Sequence, residues 1–311
     1  MIKKLAILFS GQGAQSVGMG KDLCDEFPVA AELFRRADDV LGYPLSKIAF
    51  EGPAEELTKT AVCQPALYVH GLACLEAVKE RVPGFSFDAA AGLSLGEFTA
   101  HAAAGTFDFE TGLRLVDRRA KAMQDACEQT EGAMAAIIGG DEDRVRALAS
   151  AADVDVANLN APGQIVLSGE SSKIALAVSL AQEYGARRAV ELTVAGAFHS
   201  RLMESAYQDL GAALRQTEMV SPRVPVVCNV DAIAVTEPGE IRQALAEQVT
   251  GSVCWSQSIE YLIDHLHITH FLELGPGGVI AGLVGRIRKG FPVVSVSNVA
   301  TLGEGVSALS A

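Results

Sequence analysis

The chain has 311 residues, 49% of them hydrophobic, enough to bury a core in one large unit carrying an insertion or in two units. Its 25 Lys and Arg against 38 Asp and Glu leave a net charge of −13, which argues against sequence-independent nucleic-acid binding, since that depends on cations neutralising phosphates. No uninterrupted apolar run reaches the roughly 18 residues of a membrane span, and six scattered cysteines without a C-x-x-C pair argue against zinc and for free thiols in a reducing cytoplasm.

Met1-Ile2-Lys3-Lys4 followed by Leu5–Phe9 has the outline of a signal peptide, but the apolar run is too short and Gly11-Gln12-Gly13 follows at once. Lys4–Ser10 is therefore predicted as a buried parallel strand that feeds a glycine-rich loop. Pro28–Leu41 and Gln64–Lys79 carry helical spacing, Phe87–Leu93 reads as a second buried strand, and Gly96–Ala104 and Thr111–Cys127 as helices. Ala133–Gly140, Asp141–Ala152 with Asp141 as N-cap, Asp155–Leu159, Gln164–Ser168, Ser171–Tyr184 closed by Gly185, and Arg188–Val194 give the order β-α-β-β-α-β. That is the split βαβ, or ferredoxin-like, pattern, and its length of about 65 residues suits an inserted subdomain. The α/β alternation then resumes: helix Leu202–Gln216, strand Val224–Val230, helices Glu240–Val249 and Trp255–His265, strand His270–Leu274, helix Val279–Arg288 and strand Pro292–Val296. The tail after Thr301 is small and polar and is expected to be loosely held. The fold class is α/β: a hydrolase-like core with a parallel sheet (1–128 and 198–311) and a ferredoxin-like small subdomain (129–197).

Gly92-Leu93-Ser94-Leu95-Gly96 fits G-x-S-x-G between a strand and a helix. Such a turn exposes a serine for attack, and the N–H of the next residue, Leu95, can face an oxyanion. A plain structural turn fits the same five residues. Of six histidines, His70 and His101 lie on helices, and His265, His267 and His270 crowd one segment without metal-like spacing; all five read as structural or surface residues. His199 differs, because Ala195–Ser200 is a loop of small residues where the inserted unit returns to the core, a place that faces a cleft. The loop Gly11-Gln12-Gly13-Ala14-Gln15 offers free N–H groups but lacks both the Gly-Lys-Ser/Thr of a phosphate loop and the last glycine of G-x-G-x-x-G. Arg118 and Arg119 point about 100° apart on their helix, so one of them at most faces a cleft.

Taken in order along nearly the whole chain, Phe9–Gln15, Gln64-Pro65-Ala66-Leu67, Gly92–Phe98, Arg119 with Met123-Gln124, Asn160–Gln164, Ala197-Phe198-His199-Ser200 and Glu273–Gly277 resemble the malonyl-CoA:acyl carrier protein transacylases and related acyltransferase domains of fatty-acid and polyketide synthesis. The resemblance implies Ser94 as nucleophile and His199 as general base and acid, with the backbone carbonyl of Gln248 orienting the histidine. It implies the backbone N–H groups of Gln12 and Leu95 as oxyanion hole, Arg119 as the clamp for the malonyl carboxylate, and Met123, Phe198 and Asn160 as substrate-binding residues. Phe198 would crowd a branched acyl group. No metal and no cofactor is implied beyond the substrates, malonyl-CoA and phosphopantetheine-bearing acyl carrier protein. The implied setting is a cytoplasmic monomer that binds neither nucleic acid nor membrane. Leu93 departs from the histidine most members carry before the nucleophile, which changes pocket polarity but not the dyad. The alternatives are a serine thioesterase or esterase, a polyketide-pathway acyltransferase, and a non-catalytic carrier-binding scaffold. Acyl carrier proteins are acidic, and Arg187, Arg188, Arg201, Arg286, Arg288 and Lys289 are the candidates for a local basic docking surface.

Overall fold

The structure, a computed structural model, describes residues 3–310, with side chains through 306. Met1 and Ile2 of the N-terminal stretch and Ala311 at the end of the tail lie outside the described residues. From the N-terminus, β1 (Leu5–Phe9) leads through α1 (Lys21–Glu26), α2 (Pro28–Leu41), α3 (Leu45–Glu51) and α4 (Ala54–Thr58) to the long α5 (Thr60–Arg81), followed by β2 (Ala89–Gly92), α6 (Leu95–Ala104) and α7 (Phe109–Gln129). The middle supplies β3 (Gly132–Ile138), α8 (Glu142–Ala152), β4 (Asp155–Ala161), β5 (Gln164–Glu170), α9 (Ser171–Leu180) and β6 (Arg188–Glu191). The remainder supplies α10 (Glu204–Gln216), β7 (Val226–Val227), β8 (Ala234–Val235), α11 (Pro238–Glu247), α12 (Trp255–Asp264), β9 (His270–Leu274), α13 (Val279–Ile287), β10 (Val293–Val296) and α14 (Val299–Ser310).

One sheet runs β10-β9-β1-β2-β7-β8, with parallel neighbours except for the antiparallel β7–β8 pair. This is an α/β fold with a mixed sheet. Side chains of β1 alternate between two apolar layers, which is why Leu5-Ala6-Ile7-Leu8-Phe9 is apolar throughout. Ile7 and Phe9 join the core formed with α2, α5, α6 and α7. Ala6 and Leu8 join Trp255 and Ile259 of α12 and Ile280 of α13. By length and composition α5 could cross a membrane, with a mean hydropathy of 1.3, but 89% of that apolar window is buried inside the protein, so its apolarity is that of a core helix.

A second sheet, β4-β5-β3-β6, is antiparallel and packs with α8 and α9 around its own apolar cluster. Backbone bonds between Ala157, Leu159 and Val253 fasten it to the larger unit.

The register of the large sheet places the site. Phe9 lies opposite both Gly92 and Leu274, and Ala91 opposite Val227, so the loops after β1, β2, β7 and β9 leave from one edge, the carboxyl ends of the strands.

Several boundaries differ from the sequence reading, each for a local reason. The strand expected over Val224–Val230 shrinks to two residues because Asn229 turns away to bond the Ser94 turn. The strand expected to reach Val194 ends at Glu191, after which the chain lines a cavity. α9 stops at Leu180, and turns carry the chain to Gly185, whose φ of 84° fits the glycine. α7 starts two residues early, where Asp108 caps it by accepting from the Thr111 N–H. The tail is not loose: α14 starts at Val299, and Leu302 is buried in the main core. The short helices α1, α3 and α4 and strand β8 lacked a long enough period to be read.

Candidate active site

Ser94 sits between β2 and α6 with φ 53° and ψ −106°, a positive-φ conformation that a non-glycine residue adopts at a cost of about 1–3 kcal/mol. Its neighbours make the turn possible. A Cβ on Gly92 would lie 2.0 Å from the Gly96 carbonyl carbon, and one on Gly96 would lie 2.4 Å from the Phe9 oxygen. Only glycine at both positions lets α6 pack against β1 and β2. Asn229, just past β7, locks the turn: Nδ2 donates to the Gly92 oxygen (2.8 Å) and Oδ1 accepts from the Ser94 N–H (2.7 Å).

His199, 5% exposed and also at positive φ (55°), places Nε2 2.8 Å from Ser94 Oγ. Its Nδ1 lies 2.8 Å from the Gln248 backbone oxygen, which can only accept, so Nδ1 carries the hydrogen and Nε2 is left to accept from the serine hydroxyl. Burial first, and the Arg119 charge second, push the imidazole down to about 4, so it is neutral near pH 7.

Arg119, on α7, is 1% exposed. It donates to Gln64 Oε1 (2.6 Å), Gln248 Oε1 (2.8 Å) and Ser94 Oγ (3.0 Å), while its Nε has no partner among the described residues. Burial lowers it to about 10, against the opposing pull of Glu97, and it stays a cation. Arg118 turns outward to pair with Asp209, as the 100° step between neighbours requires.

A cavity of about 510 Å³ opens over Ser94, between the loop after β1, helices α5 and α7, and the small sheet. Gln12, Leu95, Met123, Phe198 and Asn160 all line it, so the sequence-selected site residues converge, with Gln248 directly behind Ser94 and His199. No hydrogen bond engages the Gln12 or Leu95 N–H among the described residues. Leu95 opens α6, where the helix dipole favours negative charge. The Oδ1 of Asn160 is buried without a partner among the described residues. Leu93 lines the cavity and packs on the α12–α13 layer.

His70 and His101 are buried in the core and His265 and His267 are exposed, away from the cavity. Among the described residues no three His, Cys, Asp or Glu side chains cluster to hold a metal ion. The basic set is partly spoken for. Arg201 binds Asp153 and Asp155, and Arg288 binds Asp264, so neither offers a free charge; Arg187, Arg188, Arg286 and Lys289 carry no ion pair among the described residues.

The sequence reading used Gln64 and Glu97 only within motifs and gave neither them nor Asn229 a role in the site, though all three are buried and bonded into it. A lone glutamine in the apolar α5, and an asparagine within the run Val224–Val230, are polar groups in apolar segments that need a partner.

The family model described as an acyl transferase domain matches residues 7–255. A malonyl CoA-acyl carrier protein transacylase of Bacillus subtilis is 42% identical over 97% of this chain and 96% of its own length. Among solved structures, an acyl-carrier-protein S-malonyltransferase from Bartonella henselae superimposes with a TM-score of 0.94 at 38% identity, covering 99% of this chain and 100% of the other. A malonyl-transacylase solved in complex with a type II polyketide acyl carrier protein gives a TM-score of 0.93 at 37% identity, covering 98% and 100%. Sequence and fold match over nearly the whole length, and the chain belongs to the acyl transferase domain family.

Proposed function

We propose that the chain transfers the malonyl group of malonyl-CoA to the phosphopantetheine thiol of acyl carrier protein, through a malonyl ester on Ser94, in fatty-acid biosynthesis. The observation that carries this reading is Ser94 Oγ held between His199 Nε2 and Arg119 Nη2 beneath the cavity. A nucleophile with its base lies beside a buried cation, which suits an acyl group that ends in a carboxylate. Relatives named as malonyl CoA-acyl carrier protein transacylases support the substrates.

His199 takes the Ser94 proton as Oγ attacks the thioester carbon. The oxyanion is held by the N–H groups of Gln12 and Leu95, and collapse expels the CoA sulfur, which receives the proton from His199. In the second half the carrier thiol gives its proton to His199 and attacks the ester, and Ser94 leaves with that proton. The orienting group, the Gln248 carbonyl, is neutral, so no extra anion faces the substrate carboxylate held by Arg119. Met123, Phe198 and Asn160 shape the acyl pocket, and Phe198 disfavours branched acyl groups. No step calls for a metal or redox cofactor. We assign the cytoplasm as its place, on the strength of six free thiols. We also assign a hydrolase-like core at 1–128 and 198–311 and a ferredoxin-like subdomain at 129–197, supported by the separate apolar cluster around α8 and α9. A polyketide pathway is the second reading, favoured by the relative solved with a polyketide carrier protein.

Intact-mass measurement after exposure to malonyl-CoA tests the proposal. A malonyl adduct on Ser94 that moves to holo acyl carrier protein is expected, and none on Ser94→Ala. Normal turnover by Ser94→Ala, or release of free malonate whether or not carrier protein is present, would overturn it.

A further inference from the structure

Behind Ser94, three buried side chains form one connected set. The Gln248 carboxamide donates from Nε2 to Glu97 Oε2 (2.6 Å) and accepts at Oε1 from Arg119 Nη2 (2.8 Å). The Asn229 N–H also donates to Glu97 Oε2 (3.1 Å), while Glu97 Oε1 has no partner among the described residues. Glu97 and Gln248 are 0% exposed. The catalytic steps above use Arg119 and Gln248 and give Glu97 no part.

Among the described residues, the other titratable groups whose charge bears on this set are His199, after β6, and Cys228, after β7. Burial holds the first at about 4 and the second at about 11, so both are neutral near pH 7. Arg119 and the ionised form of Glu97 are then the charges that remain, one of each sign, joined through the Gln248 carboxamide. A buried guanidinium without an anion is costly, and this carboxylate is the one bonded into its network.

We propose that Glu97 is the counter-charge of Arg119 before substrate arrives, and that it takes up a proton when the substrate's carboxylate pairs with that arginine. Two carboxylates would otherwise share one buried cation, and a second anion nearby raises a carboxyl's pKa. Burial already raises Glu97 to about 7, so a small further push changes its state. Oε1 is the oxygen that receives the proton, because Oε2 is engaged by two donors. A neutral acetyl group leaves the Glu97–Arg119 pair as it was, so the response is specific to anionic acyl groups. The inference rests on the malonyl-transfer reading.

The experiment is single-turnover acylation by malonyl-CoA at pH 7 in weak buffer with an indicator dye, with adduct mass measured in parallel. Acylation itself consumes no proton, since the CoA sulfur receives the one Ser94 gave up. A rise of about one unit in the Glu97 pKa gives an uptake of roughly 0.4 proton per adduct. The expectation is that uptake for the natural chain with malonyl-CoA, none per adduct with acetyl-CoA, and none per malonyl adduct in Glu97→Gln. Complete adduct without uptake, or equal uptake per adduct in Glu97→Gln, overturns the inference alone; absence of any adduct overturns the malonyl-transfer reading and this inference with it. Should Glu97→Gln not fold, the pH dependence of uptake decides. A maximum between pH 7 and 8 assigns the proton to Glu97, and one near pH 5 assigns it to His199 and overturns the proposal.

Discussion

Replacing Arg119 with alanine separates the choice of acyl group from the chemistry at Ser94. The guanidinium is 1% exposed, and its neighbours Gln64, Gln248 and Ser94 are neutral acceptors that leave its charge uncompensated by direct contact. A carboxylate about 4 Å away gains about 4 kcal/mol at an effective dielectric of about 20, and truncating one partner of a buried charge pair costs about 2–5 kcal/mol. A loss of about 3–4 kcal/mol in transition-state binding lowers kcat/KM for malonyl-CoA by roughly 10²- to 10³-fold. Acetyl-CoA offers no carboxylate, so its rate falls by less than about tenfold, reflecting only the lost Nη2 contact with Ser94 Oγ. The assay is competition between malonyl-CoA and acetyl-CoA, read as the two acyl-enzyme masses in single turnover. A malonyl-to-acetyl ratio unchanged in a variant that melts like the natural protein would refute the reasoning, because Arg119 would then serve only to hold the serine.

Three further outcomes are expected. Gly92→Ala should lose about 3 kcal/mol of stability or more, since its Cβ would meet the Gly96 backbone at 2.0 Å; a melting temperature within a degree or two of the parent would show that the turn can relax. Gln248→Met keeps the carbonyl that orients His199 but removes the carboxamide that meets Arg119, so malonyl acylation should fall about tenfold with acetyl acylation nearly unchanged. Equal losses for the two would contradict that division. His199, held at about 4, should keep kcat/KM for malonyl-CoA on its plateau well below pH 6.5, with the acid limb near pH 4–5. A folded-state pKa below the unfolded value makes the contribution to stability fully present above pH 6.5 and progressively lost as pH falls through 4. The buried His70, at about 4, and His101, at about 3, act with the same sign, while Glu97, raised to about 7, and Glu273, also raised by burial, act with the opposite sign and offset part of the loss. Denaturant midpoints from pH 7.5 to 4.5 that stay level would refute this.

The sequence by itself determined what is local. The apolar run Leu5–Phe9, the spacing of glycines around Ser94 and the order of strands and helices depend on neighbours in the chain, and they exposed the α/β alternation and the turn that carries the serine. The loop of small residues drew attention to His199 for the same reason. Resemblance to known acyltransferases, rather than periodicity, picked out Gln12, Gln248 and Arg119. Boundaries failed where a distant partner intervened, as at Val224–Val230, which Asn229 cuts short, and at the tail, which Leu302 pins to the core. What only the tertiary structure decided is the polarity of the site. Gln64, Glu97, Arg119, Asn229 and Gln248 come from five segments, and it is the parallel register of β1, β2, β7 and β9 that brings the last turns of those strands to one edge. Burial there shifts Glu97 up and His199 down, because a charge removed from water depends on what surrounds it in space and not on its neighbours in sequence.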